Sequence, residues 1–314
     1  MASFLHSVGA VTIILLLTAT GYLCGAKGWM NAEAKAFLSK FLLSLAVPCM
    51  CVYGLCNNLT REMISGSLRF LAVPFLCNTV NFLLSFALAR LLKMPRRKSG
   101  VFMVMCSISN AMFIGYPMCL ELFGEACIPY AMLYYLVSTC FTQLLAMWLI
   151  RRSGERAEDG ERGAWKQSLR FLVSPSVLGV FAGILLVWFD LALPSFLMTY
   201  LGYINGVVSP MALVLTGYII YEIGLRSLRL DRDMAVALLF RFLLAPGLYV
   251  LCCALLGVGS LARDTLVVEA AMPVVTQTVV AASRYGADER FAAEGAALST
   301  VASFVVIPVL MLLL

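Results

Sequence analysis

Apolar residues run through this chain almost end to end in blocks of about 20, the length that crosses a bilayer as a helix, each closed by a short polar stretch or a Gly/Pro breaker. Reading the blocks against the breakers predicts ten membrane-spanning helices, near 5–26, 34–55, 68–92, 100–122, 127–150, 171–189, 196–221, 235–257, 264–284 and 291–314. The first block has no basic segment ahead of it and many comparable blocks behind it, so it reads as a span rather than a cleaved leader. The longest polar insert, Arg151 to Arg170 (RRSGERAEDGERGAWKQSLR), holds six basic and four acidic residues and divides the blocks five and five. The expected organisation is a five-helix repeat over 1–150, a cytoplasmic linker over 151–170 and a second five-helix repeat over 171–314, together one all-α integral membrane domain.

Five spans per half make the second half enter the membrane from the opposite face, an inverted repeat. Three echoes recur in the same order. RFLAVPFL (Arg69–Leu76) and RFLLAPGL (Arg241–Leu248) open the third span of each half. Pro48 with Gly54 matches Pro210 with Gly217, and Gly124 with Ser138-Thr139 matches Gly286 with Ser299-Thr300.

Composition agrees with a lipid solvent. The residues are 62% hydrophobic and 13% charged, with a mean hydropathy of +0.93, more apolar surface than a soluble domain of 314 residues hides. The net charge of +6 does not point to nucleic acid, because Lys and Arg sit in small groups between the blocks. With the first connection placed in the cytoplasm, 20 of the 23 basic residues fall on the inner side and only Arg61, Arg69 and Arg263 on the outer. This predicts both termini outside and the central linker inside a cell membrane. Eleven cysteines scattered through apolar blocks, and His6 as the one histidine, argue for thiols as packing residues, with no disulfide framework, metal or cofactor expected.

Candidate chemistry lies in the fourth span of each half. Ser107, Ser109 and Asn110, followed by Gly115, Tyr116 and Pro117, interrupt one apolar helix; Glu269, Pro273, Thr276, Gln277 and Thr278 interrupt its counterpart. Paired interruptions in corresponding spans are a pointer to a midplane site, where half-helix N-termini present free N–H groups to an anion. The alternative is a pair of ordinary kinks. Glu269 is a carboxylate within a span, either a coupling group or an interfacial acid reaching water. Arg241 reads as a residue snorkelling to the inner boundary, Glu121 and Glu125 as solvated, and Asn78 and Asn81 as facing the protein interior. The phosphate-binding loop G-x-x-x-x-G-K-S/T, H-E-x-x-H and G-x-S-x-G are absent, so the reading is of a non-enzyme whose transport would be gradient-driven or passive.

With these residues in view, the chain resembles the auxin efflux carrier family and its bacterial malate or dicarboxylate permease-like branch. The resemblance is carried by GYLCGAKGWM, FLSKFLLSLAVPCM, SISNAMFIGYPMCLELFGE, SPSVLGVFAGILL, SPMALVLTGYII, EAAMPVVTQTVVAASRYGAD and ALSTVASFVVIPVL, in order over nearly the whole length. It implies a ten-helix 5+5 inverted repeat with broken fourth and ninth helices crossing, as in sodium–bile acid symporters and sodium–proton antiporters, and an elevator-like movement. By motif, Asn110 matches the Asn before the first crossover, Pro117 its proline and Pro273 the proline opening the second broken helix. Gln277 stands where many bacterial members carry Asn. Pro74 and Asn78 stand where the plant carriers have Asp and Lys, and Glu269 where they have Gln, which makes auxin an unsafe substrate to infer.

The expectation is a secondary carrier of a small organic anion, a carboxylate, bound by Asn110, Tyr116, Pro117, Pro273, Thr276 and Gln277, with Glu269 as a proton-coupling group. The partners expected are the bilayer and a second copy of the chain. Two other readings stay open: a sodium- or proton-coupled carrier of the bile acid symporter-like group, and a membrane sensor that does not transport.

Overall fold

The computed structural model describes residues 2–154, 174–224 and 229–314, and every regular element among them is helical. The helices are α1 (Ala2–Ala26), α2 (Ala32–Asn58), α3 (Arg61–Leu91), α4 (Arg96–Ser107), α5 (Ala111–Phe123), α6 (Glu125–Ser153), α7 (Pro175–Trp188), α8 (Ser195–Ile223), α9 (Arg232–Leu255), α10 (Ser260–Ala270), α11 (Gln277–Tyr285) and α12 (Glu289–Leu313). Seven of these, α1, α2, α3, α6, α8, α9 and α12, are long and apolar enough to cross a membrane. Leu16, Phe37, Leu83, Phe196, Leu243 and Val305 stand exposed on them, as side chains that face lipid do. Most of the expected linker, residues 155–170, lies outside the described residues, as do 171–173 of the sixth expected span.

The boundaries fall close to the breakers, with one clear difference: α3 begins at Arg61 rather than near 68. A polar first turn carrying Glu62 extends the helix beyond its apolar block, with the acid where the positive helix end favours it.

Packing gathers the helices into two groups. In one, α1 lies on α8 through glycines. A Cβ on Gly217 would fall 1.8 Å from the Thr18 carbonyl oxygen, and one on Gly21 would fall 1.9 Å from that of Val214, so the two backbones touch. α7 lies on α2 in the same manner, with Gly179 against the backbone of Pro48. The other group gathers α3, α4, α6, α9, α11 and α12 around Phe102, Met105, Ile150, Met234, Phe240 and Phe291. α5 bridges the two, sending Met112 and Tyr116 into the first group and Ile114 and Met118 toward α10 and α12.

α4 and α5 are two helices where the apolar block alone reads as one, and so are α10 and α11. The first break is extended: Ile108 has φ −114° and ψ 128°, and Asn110 (φ −82°, ψ 66°) caps α5 by accepting from the Phe113 N–H at 3.4 Å. Ser-Ile-Ser-Asn favours this because short polar side chains compete with the helical backbone and prefer caps. α5 then opens in a π-helical turn, Ala111–Gly115, with the Gly115 N–H reaching the Asn110 carbonyl at 3.0 Å. Pro117 was expected to mark the crossover but does not. It lies within α5, directly after the π-helical turn and seven residues beyond Asn110, and the helix runs on through it to Phe123. Pro273 does lie in its break, between α10 and α11. Each second half-helix ends on a glycine with positive φ, Gly124 (69°) after α5 and Gly286 (72°) after α11, the left-handed side that L residues avoid.

Candidate substrate site

The two breaks meet. Asn110 donates its N–H to the Pro273 carbonyl at 2.8 Å, and Ser109 forms an antiparallel bridge with Val274. Val274 in turn donates to Ser299 Oγ on α12 at 3.0 Å. Unwound backbone buried in a membrane protein needs such partners, since lipid offers none.

Beside the crossing lies a cavity of about 260 Å³. Its walls are Leu43 and Ser44 of α2, Ser109 to Phe113 of the first break and α5, a face of α6, Ser174 to Ser176 at the start of α7, and Val275 to Gln277 of the second break. Hydroxyls and amides supply its polarity, and among the described residues its lining contains no acidic or basic side chain. Three helix N-termini open on it, those of α5, α7 and α11. α7 and α11 have no side-chain cap among the described residues, and in α11 the Thr278 and Val279 N–H groups already donate to the Val275 and Thr276 carbonyls at 3.0 and 3.1 Å, so that end offers a ligand its first N–H, that of Gln277.

Of the residues expected at the site, Asn110, Thr276 and Gln277 line this cavity. Asn110 Nδ2 donates to Thr276 Oγ1 at 3.3 Å, tying the two breaks by side chains as well as backbone. Tyr116, Pro117 and Pro273 do not line it. Tyr116 is buried and its hydroxyl donates to Asn205 Oδ1 on α8 at 3.4 Å, linking α5 to the first helix group. Pro273 acts through its carbonyl.

Sequence reasoning missed the α6 and α7 walls. Ser138, Thr139, Thr142 and Gln143 recur at one- and four-residue spacing, one helical face, which was a readable signal. Gln143 Nε2 donates to Gln277 Oε1 at 3.2 Å across the cavity. Ser174 Oγ is buried without a partner among the described residues.

Glu269 stands apart from the cavity. It is 1% exposed, neither oxygen has a hydrogen-bond partner among the described residues, and it packs on the π-helical turn of α5. An acid at the interface reaching water does not fit that burial.

Arg241 corrects the snorkelling expectation. It is 1% exposed, and its guanidinium reaches inward to the carbonyls of Met105 (3.4 Å), Cys106 (3.3 Å) and Ala270 (2.6 Å). The charged head could turn inward because orphan carbonyls at two helix ends were there to receive it. Asn78 and Asn81 are buried as expected, and Asn78 has Ser138 and Tyr249 as partners, at 3.4 and 3.1 Å.

A family described as membrane transport protein matches residues 6–311. The chain belongs to that family. It is the auxin efflux carrier family of the sequence resemblance. Among curated relatives of this family member, an uncharacterized transporter of Methanocaldococcus jannaschii is 26% identical over 302 residues, 95% of each chain. An uncharacterized transporter of Methanothermobacter thermautotrophicus is 24% identical over 310 residues, 97% of each chain. This chain is thus a member of a membrane transport family whose curated relatives are named transporters, and a multi-pass protein of the bilayer.

Proposed function

We propose that this protein is a secondary carrier of a small organic anion, a carboxylate, held in the cavity beside the crossing. One observation carries the reading: three helix N-termini open on a polar cavity whose lining has no charged side chain among the described residues. N-termini favour negative charge and would repel a cation, and backbone N–H groups are strong partners for carboxylate oxygens. Asn110, Thr276, Gln277 and Gln143 would then orient the ligand. Tyr116, Pro117 and Pro273 would shape the helices that present it.

In this reading the seven long spans, the α4–α5 and α10–α11 pairs and α7 make ten crossings in a 5+5 inverted repeat, over 1–150 and 171–314. The reciprocal packing of α1 on α8 and α7 on α2, both through glycine, supports that symmetry. The cavity lies between α2 and α7 on one side and the crossing with α6 on the other, which supports an elevator-type exchange of access between the two groups. The excess of basic residues on one side favours a cell-membrane carrier with both termini outside and residues 151–170 in the cytoplasm. A homodimer is part of the proposal by family.

The test is uptake of labelled malate, malonate, succinate, pyruvate and an indole carboxylate into proteoliposomes, beside Asn110→Ala. Saturable uptake of one acid, lost in the variant while the protein stays folded, supports the carrier; unchanged uptake in the variant rejects the site.

A second reading adds a proton. The Cys119 thiol of α5 is a polar group beside Glu269, and Gly115 and Cys127 of α5 and α6 face it without a charge. A carboxyl group so placed could carry a proton as access alternates. Uptake that follows an imposed pH gradient in the wild type but not in Glu269→Gln would support it, and equal behaviour of the two would reject it.

A further inference from the structure

The last carbonyls of a helix lack intrahelical partners and form the negative end of its dipole. Two such ends come together here, those of α4 and α10, each stopping where its span breaks. In carriers with interrupted helices, carbonyls at half-helix C-termini are ligands for a coupling cation. In this chain Arg241 of α9 occupies that place. One nitrogen of its guanidinium donates to Met105 and Cys106 at the end of α4, and another to Ala270 at the end of α10. The group is sealed from solvent at 1% exposure, in a π-helical turn, Phe240–Leu244, that displaces it from the regular helical register. Among the described residues no acid pairs with it: Glu269, which precedes Ala270 in the chain, has both oxygens without a hydrogen-bond partner there. Its counter-charge is therefore the two helix ends, and a guanidinium stays charged in any such surroundings.

We infer that Arg241 is a built-in cation that takes the place of a coupling metal ion at the crossing, fixing α4 and α10 to each other and leaving transport independent of sodium. The planar fork matters as well as the charge, because two nitrogens serve two different helices. A lysine ammonium is a point charge and cannot copy that geometry.

Two measurements on the wild-type protein test this. The first is thermal unfolding of purified protein in sodium, lithium, potassium and choline chloride at equal ionic strength. The second is proteoliposome uptake of whichever labelled carboxylate is taken up, with sodium replaced by choline. The uptake arm rests on the carrier reading; the unfolding arm does not, so absence of uptake counts against that reading alone. Expected are unfolding temperatures within about 1 °C across the salts, since a ligand that does not bind cannot stabilise, and uptake unchanged within about twofold. Stabilisation by one metal cation over the other salts, or uptake that collapses without sodium, overturns the inference.

The variants Arg241→Gln and Arg241→Lys separate charge from geometry. For Arg241→Gln, uptake is expected to fall by about tenfold or more, with cation-dependent stabilisation now appearing as the carbonyls become free to take a metal ion. Arg241→Lys keeps the charge and guards against a glutamine variant that does not fold. It should show no cation response, a KM near the wild-type value and a lowered maximal rate, because the crossing is held less rigidly and the cavity lining is intact. Wild-type transport by Arg241→Gln, without any cation response, would show that the guanidinium has no such role.

Discussion

The backbone N–H of Asn110 and the carbonyl of Pro273 are joined at 2.8 Å, although 163 positions of chain separate the two residues. The contact needs both breaks. A continuous α4–α5 helix would spend that N–H on its own preceding turn, and a continuous α10–α11 helix would spend the Pro273 carbonyl on the turn that follows. Each interruption supplies the hydrogen-bonding group that the other lacks, and the cavity opens beside the junction.

The second break has a further support that can be removed alone. Val274 donates to Ser299 Oγ at 3.0 Å in a buried setting, and Ser299→Ala leaves that N–H without its acceptor. The expected cost is about 1–3 kcal/mol of stability, the penalty for a buried unpaired amide. Thermal unfolding should show the loss, and uptake should fall with it because Val275, Thr276 and Gln277 follow directly in the chain. A variant with wild-type unfolding temperature would mean the amide finds another partner.

Glycine to alanine should change sign with position. At Gly217 a Cβ would stand 1.8 Å from the Thr18 carbonyl oxygen, a backbone atom that cannot move aside, so Gly217→Ala should separate α1 from α8 and lower the yield of folded protein. At Gly206 of α8 and Gly247 of α9 nothing lies within 4 Å of an added Cβ. There the same change should be neutral or stabilise by about 0.5–1 kcal/mol, by reducing the freedom of the unfolded chain. Size-exclusion profiles and unfolding temperatures of the three variants make the comparison.

The helical spans and the breaks at Ser-Ile-Ser-Asn and Pro273 were legible because apolar length, short polar side chains and proline act through local physics. Pro117 misled because the helix runs on through it behind a π-helical turn, and sequence does not say whether a proline breaks its helix or follows such a turn. Arg241 was illegible for a different reason. It opens RFLLAPGL as Arg69 opens RFLAVPFL, yet Arg69 is exposed and Arg241 is buried. What separates them is the presence of Met105, Cys106 and Ala270 carbonyls, brought there by tertiary structure. The same holds for Gln143 and Ser174, whose polarity gains meaning only when α6 and α7 meet the crossing.

Outside the membrane segments, Asp231 caps α9 and binds Lys98 at 2.9 Å, and the Lys98 ammonium also reaches Asp233 at 2.7 Å. Partial burial acts to raise the Asp231 carboxyl, but the hydrogen bond from Lys98 and that from the Met234 N–H outweigh it and hold the group below its ordinary value. The unfolded chain therefore binds this proton more readily, and stability rises with pH through this window. The contribution is present above the unfolded value, about 3.9, and is lost as pH falls through the lower folded value. Asp231→Asn should unfold at a lower temperature than wild type at pH 7, and the gap should narrow as pH is taken from about 5 toward 3. Parallel curves over that range would mean the carboxylate contributes nothing by its charge.

Gly115 and Glu269 offer the sharpest test of how α5 is seated. An added Cβ at Gly115 would fall 2.2 Å from Glu269 Oε2, so Gly115→Ala must push either the carboxyl group or the π-helical turn that carries the start of α5. Overpacking of a buried contact costs about 1–3 kcal/mol, and here the displaced turn also carries the N-terminus offered to the ligand. Gly115→Ala should therefore lose both stability and uptake. Glu269→Ala removes the obstructing oxygen and opens room, so the double variant should recover part of the stability lost by Gly115→Ala alone, a coupling of about 0.5–3 kcal/mol in a double-mutant cycle. If the clash is the whole effect, uptake recovers in parallel with stability in the double variant. If the carboxyl group also carries a proton, stability recovers while uptake driven by a pH gradient does not, and that split separates the packing role of Glu269 from its coupling role in one pair of measurements.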